Sequence, residues 1–207
     1  LDFYPEHHEY IRFYNQFKEM FGSANIMSVI IEVQDGDIYN PTTLQKLDRI
    51  TKWMVETKGV DNSQVLSIAH PKVRSFNNAR GSSDIREIYY PTVPQTQADA
   101  ERVRFAVYSN RSVRGIFVSH DDTAAVVHTG FWEERDKQID FNYLNNRMME
   151  LKAAEEDANH KIYITGFPWL YTSVLQYADQ LYYIFGGTVI ALSFLLFSYF
   201  RTWTGIW

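Results

Sequence analysis

Six histidines and a few runs of carboxylates are the side chains in this 207-residue chain whose types could hold a metal ion or move a proton. His7 and His8 are adjacent, and neighbouring side chains on a helix diverge by about 100°, so the two do not meet one metal from one face. They read as solvated surface groups. The run Ser119, His120, Asp121 contains the residue types of a hydrolase, nucleophile, base and orienter. That chemistry needs a chain of hydrogen bonds through space, which three consecutive turn residues do not make. Asp35 and Asp37 start like a calcium loop, but Tyr39 stands where a third oxygen ligand belongs and Lys46 where the bidentate glutamate belongs. Glu155, Glu156 and Asp157 follow one another at the end of a helical pattern and read as a solvated acidic end. Gly81 is isolated, and Gly186 and Gly187 lie inside an apolar run, so no glycine-rich loop is present to cradle a phosphate. The absence of cysteine excludes disulfides and thiolate metal sites. The expectation is a chain that is not an enzyme, with no catalytic residue, no metal and no cofactor.

What dominates the sequence instead is physical. Leu181 to Phe200 is a twenty-residue stretch without a charge, closed by Asp179 before it and Arg201 after it. At 1.5 Å per residue it is about 30 Å long, the hydrocarbon thickness of a bilayer. Tyr182 and Tyr183 mark one edge, and Tyr199, Trp203 and Trp207 the other, at the level where amphipathic rings prefer the headgroups. Gly186, Gly187 and Ala191 make a small-residue face on which a second helix could pack. No ionisable residue lies in the span, so this helix carries no proton relay. Arg201 places the C-terminal end in the cytoplasm and the large preceding domain outside. No signal sequence precedes Leu1, and the simplest expectation is a fragment delivered outside by an earlier transmembrane helix. The remaining residues suit one globular domain; the net charge of −5 and the absence of a basic patch argue against a nucleic-acid partner.

The elements of that domain follow from periodicity. Pro5 to Phe21 reads as an amphipathic helix with Tyr10, Phe13, Phe17 and Met20 at spacings of three and four, stopped by Gly22. Ala24 to Val33 alternates as an internal strand, with Met27, Val29, Ile31 and Val33 on one face. Asn40 and Pro41 are an N-cap and first-turn pair for a helix whose buried stripe is Leu44, Leu47, Ile50 and Met54, with Gly59 as its stop. Gln64 to Ala69 completes a βαβ unit. Pro71 to Pro94 breaks the pattern as an irregular insertion, and Thr96 with Asp99 caps a helix to about Ser109. Arg114 to Ser119 and Thr123 to Phe131 read as a hairpin turning at His120, Asp121 and Asp122. A helix with Phe141, Leu144, Met148 and Leu151 and a strand from Lys161 to Thr165 complete a second βαβ unit.

The predicted organisation is a membrane-proximal linker helix (1–22), an α/β domain (23–166) with an irregular and helical insertion at about 71–110, and a connecting and transmembrane helix (167–207). The fold class is α+β. Two βαβ units sharing one sheet give the split βαβ, or ferredoxin-like, arrangement. After Gly166 and Pro168 the chain should become helical and run without a break into the membrane.

The stretches FGSANIMSVIIEVQDGDIYNPTTLQKLDRIT (Phe21 to Thr51), GVDNSQVLSIAH (Gly59 to His70), GFPWLY (Gly166 to Tyr171) and YFRTWTGIW (Tyr199 to Trp207) occur in the order found in one family. The chain resembles the first periplasmic loop and second transmembrane helix of exporters in the resistance-nodulation-division superfamily, in the MMPL-like branch that moves hydrophobic lipids. The resemblance implies a proton-driven transporter of the bacterial inner membrane, with a duplicated architecture of six helices per half and a periplasmic porter domain built from βαβ units. Its proton-carrying acids sit on later helices, so none is assigned here. It implies hydrophobic cargo passing near the outer leaflet, and makes Phe167, Trp169, Leu170 and Tyr171 candidate contacts with cargo or lipid. The implied partners are membrane lipids, the other transmembrane and porter segments of the same transporter, and a homo-oligomer or periplasmic protein. Two rivals stand beside it: an extracytoplasmic ligand-binding sensor that signals through its transmembrane helix, and a scaffolding subunit of a membrane complex.

Overall fold

The structure, a computed structural model, describes residues 7–21, 25–79, 82–132 and 139–200. Its architecture is mixed α+β: an antiparallel four-stranded sheet with helices packed on it, a separate two-stranded hairpin, and one long apolar helix at the C-terminal end. Strand β1 (Ile26–Val33) is central, between β5 (Ala124–Phe131) and β6 (His160–Gly166), and β2 (Val60–Leu66) lies outside β5. The strand order is thus β2-β5-β1-β6, and each neighbouring pair is antiparallel. It follows that β1 runs parallel to β2 with β5 between them, and β5 parallel to β6 with β1 between them. The two crossovers are α2 (Pro41–Glu56) and α4 (Phe141–Glu155), which pack against each other and against the sheet.

The alternation read in β1 selects its core face: Met27, Val29, Ile31 and Val33 are buried, opposite Val127 and Ala125 of β5 and Ile162 of β6. α2 starts as its sequence requires, the Asn40 side chain accepting from Thr43 N at 2.9 Å with Pro41 in the first turn. Leu44, Leu47, Ile50 and Met54 are all buried. The helix ends before Gly59, at the cap residue Thr57, and Gly59 serves the left-handed turn into β2. Leu144, Met148 and Leu151 are the buried stripe of α4, as expected.

Four expectations are corrected. Residues 71–94 are not irregular throughout: Arg74–Ala79 (β3) and Ser82–Glu87 (β4) pair as an antiparallel hairpin. Its polar sequence carries no apolar alternation, because the hairpin forms no face of the main sheet. The insertion continues into α3 (Gln97–Tyr108), whose Thr96/Asp99 capping box is present. The second strand lies earlier than Gln64–Ala69, and its register with β5 shifts between Asp61 and Leu66, where the Asp61 carboxylate binds Ser63 N and the Gln64 amide. Residues 114–119 are turns with isolated bridges at Arg114 and Val118, Gly115 having a positive φ. His7 and His8 precede the first helix, α1 (Glu9–Phe21), and His8 Nδ1 accepts from Tyr10 N at 3.3 Å. The expected helix start at Pro5 and stop at Gly22 lie outside the described residues, as does Gly81.

The insertion is tied to α2: Tyr89 Oη donates to Leu44 O at 3.0 Å, and Gln45 Nε2 to Pro94 O at 2.9 Å. The core thus runs from the inner face of the sheet through α2 and α4 to Ala100, Val103 and Val107 of α3.

Candidate functional site

The apolar helix α5 (Phe167–Phe200) grows directly out of β6. The turn between them needs a glycine twice over. Gly166 has φ +113°, and a Cβ there would sit 2.3 Å from Ile26 O and 2.7 Å from Met27 Cα of β1. Pro168 then falls in the first turn of the helix, where its missing N–H has no intrahelical partner to lose. The Thr172 and Ser173 hydroxyls donate back to Pro168 O at 2.7 Å and Trp169 O at 3.0 Å. Trp169 packs against the domain core. Tyr171 meets Phe141 of α4 with ring centroids 4.6 Å apart, and Phe167 at 6.3 Å. The first turns of α5 are therefore fixed to the domain through aromatic contacts with α4 and the ends of β1 and β6.

The four aromatic and apolar residues predicted at this junction do not form one surface. Trp169 and Tyr171 are half-buried against the domain, while Phe167 and Leu170 are exposed. Beyond them Val174, Leu175 and Tyr177 are exposed as well, so the apolar surface of α5 begins about three turns before the predicted span. Residues Phe167–Tyr199 form a helix long and apolar enough to cross a membrane, with a mean hydropathy of 1.8 in its most apolar window, none of that window buried in the chain. Tyr182, Tyr183 and Tyr199 are exposed. A Cβ placed on Gly186 or Gly187 would touch nothing within 4 Å, and Ala191 is exposed beside them. Arg201, Trp203 and Trp207 lie outside the described residues.

At the opposite end of the sheet is a charged cluster that the linear reading misses. Glu155, expected to be solvated, is buried: Arg49 holds it with two hydrogen bonds at 2.7 and 2.8 Å, and Lys46 Nζ lies 3.6 Å from it. Lys46, itself buried, donates to Glu155 O at 2.7 Å and faces Asp157 at 3.2 Å. Asp157 accepts from His160 N at 2.8 Å and pairs with its Nδ1 at 2.8 Å, and His160 Nε2 meets the Thr43 hydroxyl at 2.8 Å. The hydrogen bond from His160 holds the Asp157 carboxyl well below the usual range. The sequence holds half of the signal for this cluster: Lys46 and Arg49 are three apart on α2, but the partner carboxylate lies more than a hundred residues away.

Thr43, His160 and Asp157 have the hydrogen-bond order of a hydrolytic triad, yet Thr43 and His160 are buried, so no substrate reaches the hydroxyl. The chain of bonds pins α2 to β6. Ser119, His120 and Asp121 form the predicted turn, with Ala124 N bound to Ser119 Oγ at 2.9 Å and Thr123 Oγ1 to Asp121 at 2.9 Å. Asp35 and Asp37 also serve loops: Asp35 N donates to Asn159 Oδ1, and Asp37 accepts from Tyr39 N and pairs with Arg104. Nearby, the Tyr39 hydroxyl is buried without a hydrogen-bond partner among the described residues, and burial raises its ionisation well above the ordinary phenol range.

A groove of 390 Å³ opens between α2 and the segment after β4, lined by Thr51, Val55, Ala69, His70, Tyr89 and Val93 among others. Burial keeps His70 below its ordinary value, and its Nδ1 accepts from Lys72 N at 3.2 Å. Lys52, at the rim, is paired with Asp48 at 2.7 Å. Among the described residues no three His, Asp or Glu side chains converge to hold a metal ion. Fold and site together define an α+β domain joined directly to an exposed apolar helix. Neither the models of known protein families nor the curated proteins contain a match to this chain.

Proposed function

We propose that this chain is a periplasmic porter segment and the following transmembrane helix of a proton-driven, RND/MMPL-like exporter of hydrophobic, lipid-like molecules in the bacterial inner membrane. The observation that carries the reading is the continuity of α5: 34 residues without a break, its first turns packed on α4 and its last twenty free of charge. Such a rod transmits displacement between a domain and a bilayer, because bending an α-helix at mid-length requires breaking its hydrogen-bond ladder. The sequence resemblance supplies the family, and the interleaved βαβ connections with strand order β2-β5-β1-β6 support a ferredoxin-like porter subdomain.

In this reading Phe167 and Leu170 present the apolar surface nearest the outer leaflet and are the contacts offered to cargo or lipid, while Trp169 and Tyr171 hold the helix to the domain. Relative movement of porter subdomains passes through the junction at Gly166. Proton coupling belongs to helices outside this chain, and the other porter segments and membrane lipids are its partners.

The test is a proline pair, Val174→Pro with Tyr177→Pro, in the full-length transporter. Each proline removes a ladder bond and costs a helix interior about 3 kcal/mol. Export of a fluorescent lipid analogue should be abolished while the protein stays in the membrane fraction; unchanged export refutes mechanical coupling through α5. The sensor reading predicts a soluble signalling domain beyond Trp207, whereas the exporter reading predicts four or more further spans and a second copy of this pattern.

A further inference from the structure

The groove beside α2 joins apolar walls to a charged rim. The walls come from Val55 on α2, Ala69 after β2, and Tyr89 and Val93 in the segment that follows β4, with Pro71 and Pro91 bringing no N–H to them. Tyr89 turns its hydroxyl away to Leu44 O at 3.0 Å, so what it lends the groove is its ring.

The rim is one-sided in charge. Asp48, Glu56 and Glu87 set three carboxylates against one ammonium, that of Lys52. Lys52 is already held by Asp48 at 2.7 Å, one helical turn away, and its side chain is 65% exposed. That pair is neutral as a unit. Glu56 has Arg147 at 3.8 Å, an exposed contact of little strength. Among the described residues the Glu87 carboxylate has no hydrogen bond and no ion pair. His70 brings no positive charge at neutral pH, because burial lowers its pKa, and its Nδ1 is occupied by Lys72 N at 3.2 Å.

These charges discriminate among occupants. An anion would meet Glu56 and Glu87 and no uncommitted cation on the lining. A neutral apolar molecule would take water from those carboxylates and return no partner. An apolar body that carries an ammonium group suits both surfaces: it displaces water from the walls, and its charge is drawn to the free carboxylate and to an aromatic wall. We propose that this groove binds a small apolar amine, with Glu87 receiving the ammonium group. Its volume of 390 Å³ suits a single small molecule. None of the lining residues belongs to α5, so the inference goes beyond the exporter reading and does not depend on it.

The test is calorimetric titration of the full chain in lipid nanodiscs with phenylbutylamine, using phenylbutanol and phenylbutyrate as the neutral and anionic forms of the same body. Titration of empty nanodiscs subtracts partition into lipid. The amine should bind at least about tenfold more tightly than the alcohol or the carboxylate. Glu87→Gln, an exposed substitution at the end of β4, should weaken the amine about fivefold or more and leave the alcohol unchanged. Thr92→Trp, which fills the groove from its exposed rim, should abolish amine binding. Melting curves report whether each variant keeps its fold, and Glu87→Gln decides alone if Thr92→Trp does not. Equal affinity for amine and alcohol overturns the proposal, as does tighter binding of the carboxylate. So does an amine affinity that Glu87→Gln or a folded Thr92→Trp leaves unchanged, or no amine binding up to about 10 mM.

Discussion

The two ends of the sheet bury their side chains by different means. At the end away from α5, Lys46, Arg49, Glu155, Asp157, His160 and Thr43 satisfy one another in a closed set of hydrogen bonds and ion pairs, so that end is complete within the chain. At the other end, where α1 and α5 leave the sheet, apolar and aromatic side chains stand exposed. A charged cluster can be satisfied by a few directed bonds among neighbours, whereas an apolar surface is stabilised only by an area large enough to exclude water. The first end is therefore a structural clamp, and the second depends on a partner of large area, lipid or protein.

Substitutions at the two ends should differ accordingly, and the largest effect is expected where the ends join. Gly166→Ala introduces a Cβ into the β1 backbone at a left-handed φ and should cost about 3 kcal/mol or more; urea unfolding followed by tryptophan fluorescence measures it, and near-wild-type stability would show that β1 and α5 are not rigidly joined. Glu155→Ala leaves buried Lys46 with Asp157 as its remaining carboxylate partner, and a loss of about 3 kcal/mol is expected by the same measurement. A loss below about 0.5 kcal/mol would mean that the clamp contributes nothing beyond an ordinary surface pair.

The same cluster sets a pH dependence. Asp157 is depressed chiefly by its hydrogen bond from His160, so its folded-state pKa lies below the unfolded value of about 3.9. Its contribution is thus fully present above that value and is lost as the pH falls below it. Thermal melts between pH 6 and pH 3 should show a steeper decline for the wild type than for Asp157→Asn; parallel curves would remove Asp157 from the clamp. The smallest effect is expected at the open end, where Leu175→Ser should change the stability of the detergent-solubilised chain by no more than about 0.5 kcal/mol. A loss of several kcal/mol there would mean that this side chain already has an internal partner in the fold.

What is legible in the sequence follows local physics. The N-cap Asn40, the Thr96/Asp99 capping box, the alternation of β1 and the stripes of α2 and α4 each sit within a few residues of what they determine. The hairpin of β3 and β4 is hidden, because two strands outside the main sheet need no alternating core face. Glu155 is hidden for a related reason: three acids in a row look solvated until α2 brings Lys46 and Arg49 to them. Phe167, Trp169, Leu170 and Tyr171 stand out as a group in the sequence, but Tyr171 turns inward against Phe141, thirty residues away along the chain, and Trp169 against the domain core.

The sequence by itself determined that a charge-free helix of membrane-spanning length follows an α/β domain, because hydrophobicity, capping and periodicity act between residues close along the chain. Only the tertiary structure decided that the polar end is sealed by its own charges and that the apolar end is left open. Burial depends on which distant segments meet, and strand pairing across a hundred or more residues is written in no local pattern.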